Sequence, residues 1–213
     1  MKAAYIEETG PPENIIYGDL PQPEPADNQV LVEVRAVALN PVDTYIRNGA
    51  NYWELPQPFV VGCDLAGTVS AVGSGAKQFQ VGDRVWGTNQ GLLGRQGTFA
   101  EYCAVDECWL YPIPENVSDE AAAACSLVGV TAHLGLFRDA KLKTSETVFV
   151  HGGTGGVGSR SFKISMIRSA FSAMRIDFCS GKRKTKEWIF AGLFFEMPGF
   201  DSEDKPHLSR AGA

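Results

Sequence analysis

The sequence lacks the marks of a secreted, disulfide-built or membrane-spanning protein. It has only five cysteines, an odd number without any Cys-x-x-Cys pair, which argues against a disulfide framework and a four-cysteine zinc loop. The first ten residues hold no apolar run of signal-peptide length, and no window approaches about 18 apolar residues. We therefore expect a cytoplasmic protein with no membrane partner.

Basic charge is scarce in most of the chain. Residues 1–159 carry 9 Lys and Arg against 19 Asp and Glu, whereas residues 160–213 carry 10 against 6. The basic run 182–186 (KRKTK) is short and has no flanking aromatic residues to stack on bases, so it is typical of a solvated loop. We expect no nucleic-acid partner.

The first 115 or so residues alternate short β-prone runs with Gly and Pro breaks. Residues 29–38 (QVLVEVRAVA) show the clearest period-two pattern of a half-buried strand. The other predicted strands cover residues 2–7, 15–17, 65–72, 84–87, 99–105 and 109–113. This many short strands predicts a barrel or a sandwich.

The pattern changes after Pro114. Ser118 is a suitable N-cap, Asp119 and Glu120 suit the positive first turn, and an apolar run extends the predicted helix to about Arg138. A polar loop then leads to residues 147–150, which predict a short buried strand. A β-rich unit is thus followed by the start of an α/β unit.

Directly after that strand lies a glycine-rich turn. Gly153, Gly155 and Gly158 have the Gly-x-Gly-x-x-Gly spacing at which a tight turn brings backbone N–H groups and a helix N-terminus to a pyrophosphate. An ordinary glycine-rich turn is the alternative, and the preceding strand and following amphipathic segment favour the dinucleotide reading.

Several motifs in this order resemble the medium-chain dehydrogenase/reductase superfamily, and within it the zeta-crystallin type of quinone oxidoreductase. They are NPVDTYIRNG (40–49), FVVGCDLAGTV (59–69), VGDRV (81–85), GTFAEY (97–102), PENVSDEAAA (114–123) and VFVHGGTGGVGS (148–159). The resemblance implies a β plus α/β fold, in which a GroES-like β-barrel precedes a Rossmann (doubly wound) nucleotide-binding domain.

The same comparison separates this chain from the zinc alcohol dehydrogenases of the superfamily. Those enzymes need a cysteine where Asn40 stands and a His-Glu pair where Cys63 and Asp64 stand, and an amide is a poor zinc ligand. The stretch 86–99 also contains no cysteine for a structural zinc. We expect no zinc.

The resemblance implies NADPH as the cofactor, with NADH not excluded, and a quinone or related conjugated carbonyl as the small-molecule substrate. It places Asn40 and Tyr45 beside the nicotinamide and substrate, and Thr131 close to the nicotinamide ring. The implied phosphate turn consists of Gly153, Thr154, Gly155, Gly156, Val157 and Gly158.

Each of the implied side chains also has a plainer reading. Asn40 could start a turn and Asp43 could cap the next helix. Tyr45 could be a core aromatic, and Thr131 could bond to its own helix backbone. His151 and His133 are less suited to general acid chemistry than to ordering the turn and to packing.

The domain organisation predicted here is a barrel over residues 1–117, the start of a nucleotide-binding domain over 118–178, and a divergent, poorly ordered tail over 179–213. The remaining chain has room for at most two strands of a Rossmann sheet. We hypothesise that the reading frame is broken shortly after Ser159; a verified continuous frame expressed in cells would count against this.

These observations favour a zinc-independent NADPH:quinone oxidoreductase whose activity in this chain is weak or absent. Alternatives are an enoyl or alkenal reductase, a non-catalytic remnant, and an interaction module using the apolar patch 188–197. Members of the family commonly pair through their nucleotide-domain sheets; we do not expect that homo-oligomer for this chain.

Overall fold

The structure is a computed structural model, and it describes residues 1–50, 53–143, 146 and 148–168. The predictions for the tail 179–213, including the apolar patch 188–197 and the basic run 182–186, lie outside the described residues. The domain boundaries at 117 and 178 remain predictions.

Two antiparallel sheets form the first half of the chain. The five-stranded sheet, in the order β7-β3-β5-β6-β8, contains β3 (Gln29–Ala38), β5 (Asp64–Val72), β6 (Arg84–Gly87), β7 (Tyr102–Asp106) and β8 (Leu110–Pro112). The three-stranded sheet, in the order β2-β1-β4, contains β1 (Lys2–Ile6), β2 (Ile16–Asp19) and β4 (Phe59–Val60). These eight strands confirm the predicted β-rich unit. Successive side chains of a strand point to opposite faces of its sheet.

The predicted strand 99–105 begins later than expected. Its first residues pair with the other sheet instead: Ala4 N donates to Phe99 O at 2.8 Å, and Ala100 bridges Ala3. The backbone then crosses to β3, where β7 starts at Tyr102. The strand predicted over 109–113 is likewise shorter, because a 3-10 turn, Glu107–Trp109, precedes β8.

The core lies between these strands and the helices that cover them. One buried cluster contains Val30, Val32, Leu65, Val69 and Val85 from the five-stranded sheet. The predicted alternation of residues 29–38 places Val30 and Val32 in this core, but Leu31 on the opposite face is also buried, so the start of β3 is covered on both faces rather than half-buried.

The described residues contain three α-helices. Helix α1 (Pro41–Arg47) is short, α2 (Asp119–His133) continues into a π-helical segment (Leu134–Asp139), and α3 (Gly156–Arg168) follows the glycine turn. Helix α2 packs on the sheet through Ala122 and Ala123, which share a buried cluster with Ala66 and Ile113. The predicted helix from the Ser118 cap is confirmed: Ser118 Oγ accepts from Ala121 N at 3.2 Å.

The expectation that no segment is apolar enough to cross a membrane needs a correction. The helical stretch Asp119–Asp139 has the length and composition of a membrane span. Core helices pass the same test, and α2 is partly buried against the barrel.

The prediction of a strand at 147–150 also needs a correction for the residues that the structure describes. Residues 148–150 have no regular secondary structure, and Phe149 is 41% exposed. These residues do not belong to either of the two sheets that the structure describes.

Candidate functional site

The glycine-rich turn lies between residues 148–150 and helix α3. Residues 151–154 form turns, Gly152 adopts a φ of +72°, and Gly155 N donates to Gly152 O at 2.9 Å. Residues 151–156 are exposed. The first N–H groups of α3, which have no partner within the helix, thus begin at an accessible turn where an anion would be favoured.

The last glycine of the motif is required by packing. A Cβ added at Gly158 would lie 2.2 Å from Gly152 O, closer than any side chain allows. At Gly156 an added Cβ would meet Val128 Cγ1 of α2 at 3.1 Å. The turn therefore folds back on the first turn of α3, and α3 sits against α2. The motif predicts that a phosphate group binds at this turn.

Asn40 is buried at the start of α1. It is the N-cap residue, and Asp43 Oδ2 accepts from Asn40 N at 2.7 Å, which is the reciprocal half of a capping box. Asn40 is therefore the cap residue of α1, whereas Asp43 lies inside the helix and its side chain only completes the capping box, so the reading of Asp43 as the cap is corrected. Asn40 Nδ2 donates to Asp64 Oδ2 at 2.9 Å.

Asp64 accepts hydrogen bonds from three parts of the fold. In addition to the amide of Asn40, Thr88 Oγ1 donates to Asp64 Oδ1 at 2.5 Å, and Leu127 N of α2 donates to Oδ2 at 3.2 Å. The side chain is 1% exposed. A buried carboxylate of this kind is tolerated because its lone pairs are occupied by donors.

Burial controls the acid–base behaviour of this cluster. It raises the pKa of Asp64 to about 6, although the hydrogen bonds from Thr88, Asn40 and Leu127 oppose the rise. It also raises the pKa of Asp43, against the opposing effect of contacts with Cys63 and Asn40. The pKa of the Cys63 thiol is raised by burial and by the nearby Asp43, so Cys63 remains a neutral thiol.

The other predicted contact residues differ in exposure. Tyr45 is on α1 and 60% exposed, so it is not a core aromatic. Thr131 is 8% exposed on α2, one helical turn after Leu127. The roles given to Asn40, Tyr45, Thr131 and the glycine turn remain predictions.

Sequence reasoning missed the role of Asp64. It treated Cys63 and Asp64 only as the place where zinc enzymes carry ligands. The available signal was one carboxylate inside the apolar run 59–66, because a buried charge in such a run needs dedicated partners. Thr88 carried no comparable signal.

No group of three or more His, Cys, Asp or Glu side chains in the described ranges is arranged to hold a metal ion. At two of the positions where the resemblance implied zinc ligands in zinc-dependent enzymes, this chain has a hydrogen bond between Asn40 and Asp64. The absence of zinc remains a prediction. A cleft of about 540 Å³ beside β7 includes Arg95 and Gln96 in its lining, and none of the predicted site residues.

Known proteins resemble most of this chain. Residues 26–115 match the family described as the alcohol dehydrogenase GroES-like domain. The human quinone oxidoreductase is 37% identical over 166 residues, which cover 78% of this chain and 49% of that protein. The chain thus spans about half the length of the curated relatives it matches.

Solved structures are similar to most of this chain in fold. An alcohol dehydrogenase superfamily protein from Novosphingobium aromaticivorans superposes with a TM-score of 0.73 at 40% identity, covering 79% of this chain and 51% of that one. A mycobacterial protein complexed with NADPH gives 0.70 at 35% identity, with coverage of 79% and 51%. With the barrel, the helices and the glycine turn in place, the chain belongs to the medium-chain dehydrogenase/reductase superfamily and is quinone oxidoreductase-like within it.

Proposed function

We propose that this chain is built for zinc-independent reduction of a quinone, or a related conjugated carbonyl, by NADPH. The observation that carries the proposal is the exposed glycine turn at the N-terminus of α3, closed by the contact of Gly158 with Gly152 and packed on α2. Quinone oxidoreductase relatives and an NADPH complex among similar structures support the substrate class and the cofactor.

The residues present fit the phosphate half of such a cofactor. The proposed phosphate contacts are the backbone N–H groups of Gly153, Thr154, Gly155, Gly156, Val157 and Gly158, because a glycine turn lets the backbone approach an anion closely. When bound, a reduced nicotinamide supplies a hydride, and a proton from solvent completes the hydroquinone. Tyr45, Asn40 and Thr131 are proposed to orient the ring and the carbonyl, since orientation is the main contribution of a protein without a metal.

We further propose that turnover by this chain is impaired relative to its longer relatives. The specific observation is that residues 148–150, which lead into the turn, do not form a strand. A turn that is not preceded by a regular strand is positioned less precisely, and the loss of orientation reduces the rate. We also propose a cytoplasmic location and no nucleic-acid or membrane partner.

The test is a titration of the full chain with NADPH, followed by nicotinamide fluorescence and by thermal stability. Saturable binding with a melting temperature that rises with ligand concentration supports the proposal. Oxidation of NADPH with 1,4-naphthoquinone then measures turnover. If no binding occurs at millimolar NADPH, the proposed function of this chain is wrong.

Two variants at one position show whether the turn binds the phosphates. Gly155→Asp puts a carboxylate among the N–H groups, and we expect it to weaken NADPH binding by at least about tenfold through repulsion of the anion. Gly155→Ala adds bulk without charge and fits the fold, because its Cβ would be at an ordinary distance of 3.4 Å from Gly152 O; we expect it to bind NADPH more tightly than Gly155→Asp. Wild-type affinity in both variants would show that NADPH binds elsewhere.

A further inference from the structure

Asp64 connects the two halves of the proposed cofactor site. On the barrel side its carboxylate holds the amide of Asn40 and the hydroxyl of Thr88. On the helix side it accepts from the backbone of Leu127 in the middle of α2. Because this N–H belongs to the middle of α2 and its acceptor belongs to the barrel, the hydrogen bond restrains the rotation of α2 about its axis and its position along that axis relative to the sheet.

Helix α2 carries this anchoring to the remaining site residues. Val128, next to Leu127, is the residue that faces Gly156 at the start of α3. Thr131 lies one helical turn further along α2. The path from the carboxylate to the glycine turn therefore runs through one hydrogen bond and one packing contact.

We propose that Asp64 is a positioning residue that holds Asn40, Thr131 and the glycine turn in a single frame for the cofactor. This inference rests on the proposed function for its purpose. Asp64 does not touch the proposed ligand positions itself, because it is enclosed by Asn40, Thr88 and α2.

Protonation of Asp64 would weaken this frame. Asn40 Nδ2 and Leu127 N can only donate hydrogen bonds. A protonated Asp64 can therefore accept both of them only when its proton is on Oδ1, the oxygen that faces Thr88. Their hydrogen bonds then lose the strength that the negative charge confers. The other titratable or charged groups around the cluster are Asp43 from α1, the Cys63 thiol, and Arg95, whose charge acts on Cys63.

Nuclear magnetic resonance of the labelled full chain tests the frame without any ligand. We expect the side-chain amide of Asn40 and the backbone amides of Leu127, Thr131 and Gly156 to shift with one common midpoint as Asp64 titrates. In Asp64→Asn that common transition should be absent. Because the hydrogen bond from Thr88 lowers the pKa of Asp64, Thr88→Val should move the midpoint to higher pH.

A shift confined to Asn40 and Leu127, with Thr131 and Gly156 unmoved by Asp64, would overturn the inference. So would a midpoint that does not respond to Thr88→Val. Both results are obtained whether or not the chain binds NADPH, so this inference and the proposed function can fail separately.

Binding supplies the functional readout. At neutral pH we expect Asp64→Asn to weaken NADPH binding about tenfold, since misplaced contacts lose the benefit of pre-organisation. Val69→Ala, on the same strand but in the barrel core, is the control for lost stability and should leave the affinity unchanged within about twofold. If the wild-type chain binds NADPH and Asp64→Asn binds it equally well, Asp64 does not position the site.

Discussion

At the scale of single residues, the carboxylate of Asp64 combines three hydrogen bonds with an unfavourable charge. Its pKa of about 6 in the folded chain lies above the ordinary value of 3.8. The folded state therefore binds more protons than the unfolded state between these values. The stability that this group contributes is complete below the ordinary pKa and is lost as the pH rises through about 6.

The first prediction follows from that sign. Asp64→Asn removes the ionisation, so the stability of the variant relative to wild type should increase between about pH 4 and pH 7, by up to about 3 kcal/mol. Urea unfolding of both proteins at several pH values measures the difference. A stability difference that does not change with pH would contradict the raised pKa.

A second residue-scale prediction concerns Gly67 in β5. An added Cβ would lie 2.2 Å from Glu33 O on the neighbouring strand β3, and backbone cannot move aside easily. We expect Gly67→Ala to lower the free energy of unfolding by about 1–3 kcal/mol. Urea unfolding measures this loss.

Gly18→Ala is the matched control for Gly67→Ala. It also lies in a strand, but its Cβ would meet Tyr5 Cε1 at 3.4 Å, an ordinary contact. It should be neutral or slightly stabilising, because alanine loses less conformational freedom on folding than glycine. Equal effects of the two substitutions would show that β5 and β3 are not as close as described.

At the scale of elements, α2 joins the barrel to the glycine turn. Its start is fixed by the Ser118 cap and by Arg84 of β6, whose Nη2 donates to Asp119 Oδ1 at 2.5 Å and to Val117 O at 2.8 Å. Because Arg84 is partly exposed, screening by water limits the contribution of this ion pair. Substitution of the cap residue Ser118 should therefore have a larger and more predictable effect on stability than loss of the Arg84–Asp119 ion pair.

The third prediction is made at that cap. Ser118→Ala leaves the N–H of Ala121 without its side-chain acceptor and should cost about 1 kcal/mol of stability. Ser118→Asp retains an acceptor and adds a negative charge at the positive end of α2, so it should remain within about 0.5 kcal/mol of wild type. Thermal and urea unfolding distinguish the two; an equal loss in both would exclude capping as the cause.

At the scale of the whole molecule, the described residues form strands around a buried core and, further along the chain, a helix that begins at an exposed turn. Strand β3 is paired on both sides, by β5 and β7, and carries buried valines. Helix α3 packs against α2 and begins at an exposed turn. Segments whose backbone is exposed to solvent open at lower free energy than the core.

The fourth prediction is a graded pattern of amide hydrogen exchange. Amides of β3 and β5 should exchange only through global unfolding, those of α2 at similar or slightly lower free energy, and those of α3 at a clearly lower one. Addition of NADPH should protect α3 selectively if the proposed site is correct. Equal protection of α3 and β3 without ligand would mean that the chain unfolds as one unit.

Local sequence patterns determined much of this protein. The alternation over residues 29–38, the Ser118 cap and the spacing of Gly153, Gly155 and Gly158 depend on neighbours within a few residues, so they could be recognised without a structure. The same holds for the barrel class, because it follows from the number and spacing of short strands. The order of motifs carried the superfamily assignment.

Only the tertiary structure decided the rest, because it depends on partners distant in the chain. Residues 148–150 have a strand's composition, but they have no regular secondary structure and belong to neither of the described sheets. The segment around Phe99 leaves the expected strand because β1 offers it hydrogen bonds. Asp64 acquires its role from donors at positions 40, 88 and 127, which no local pattern brings together.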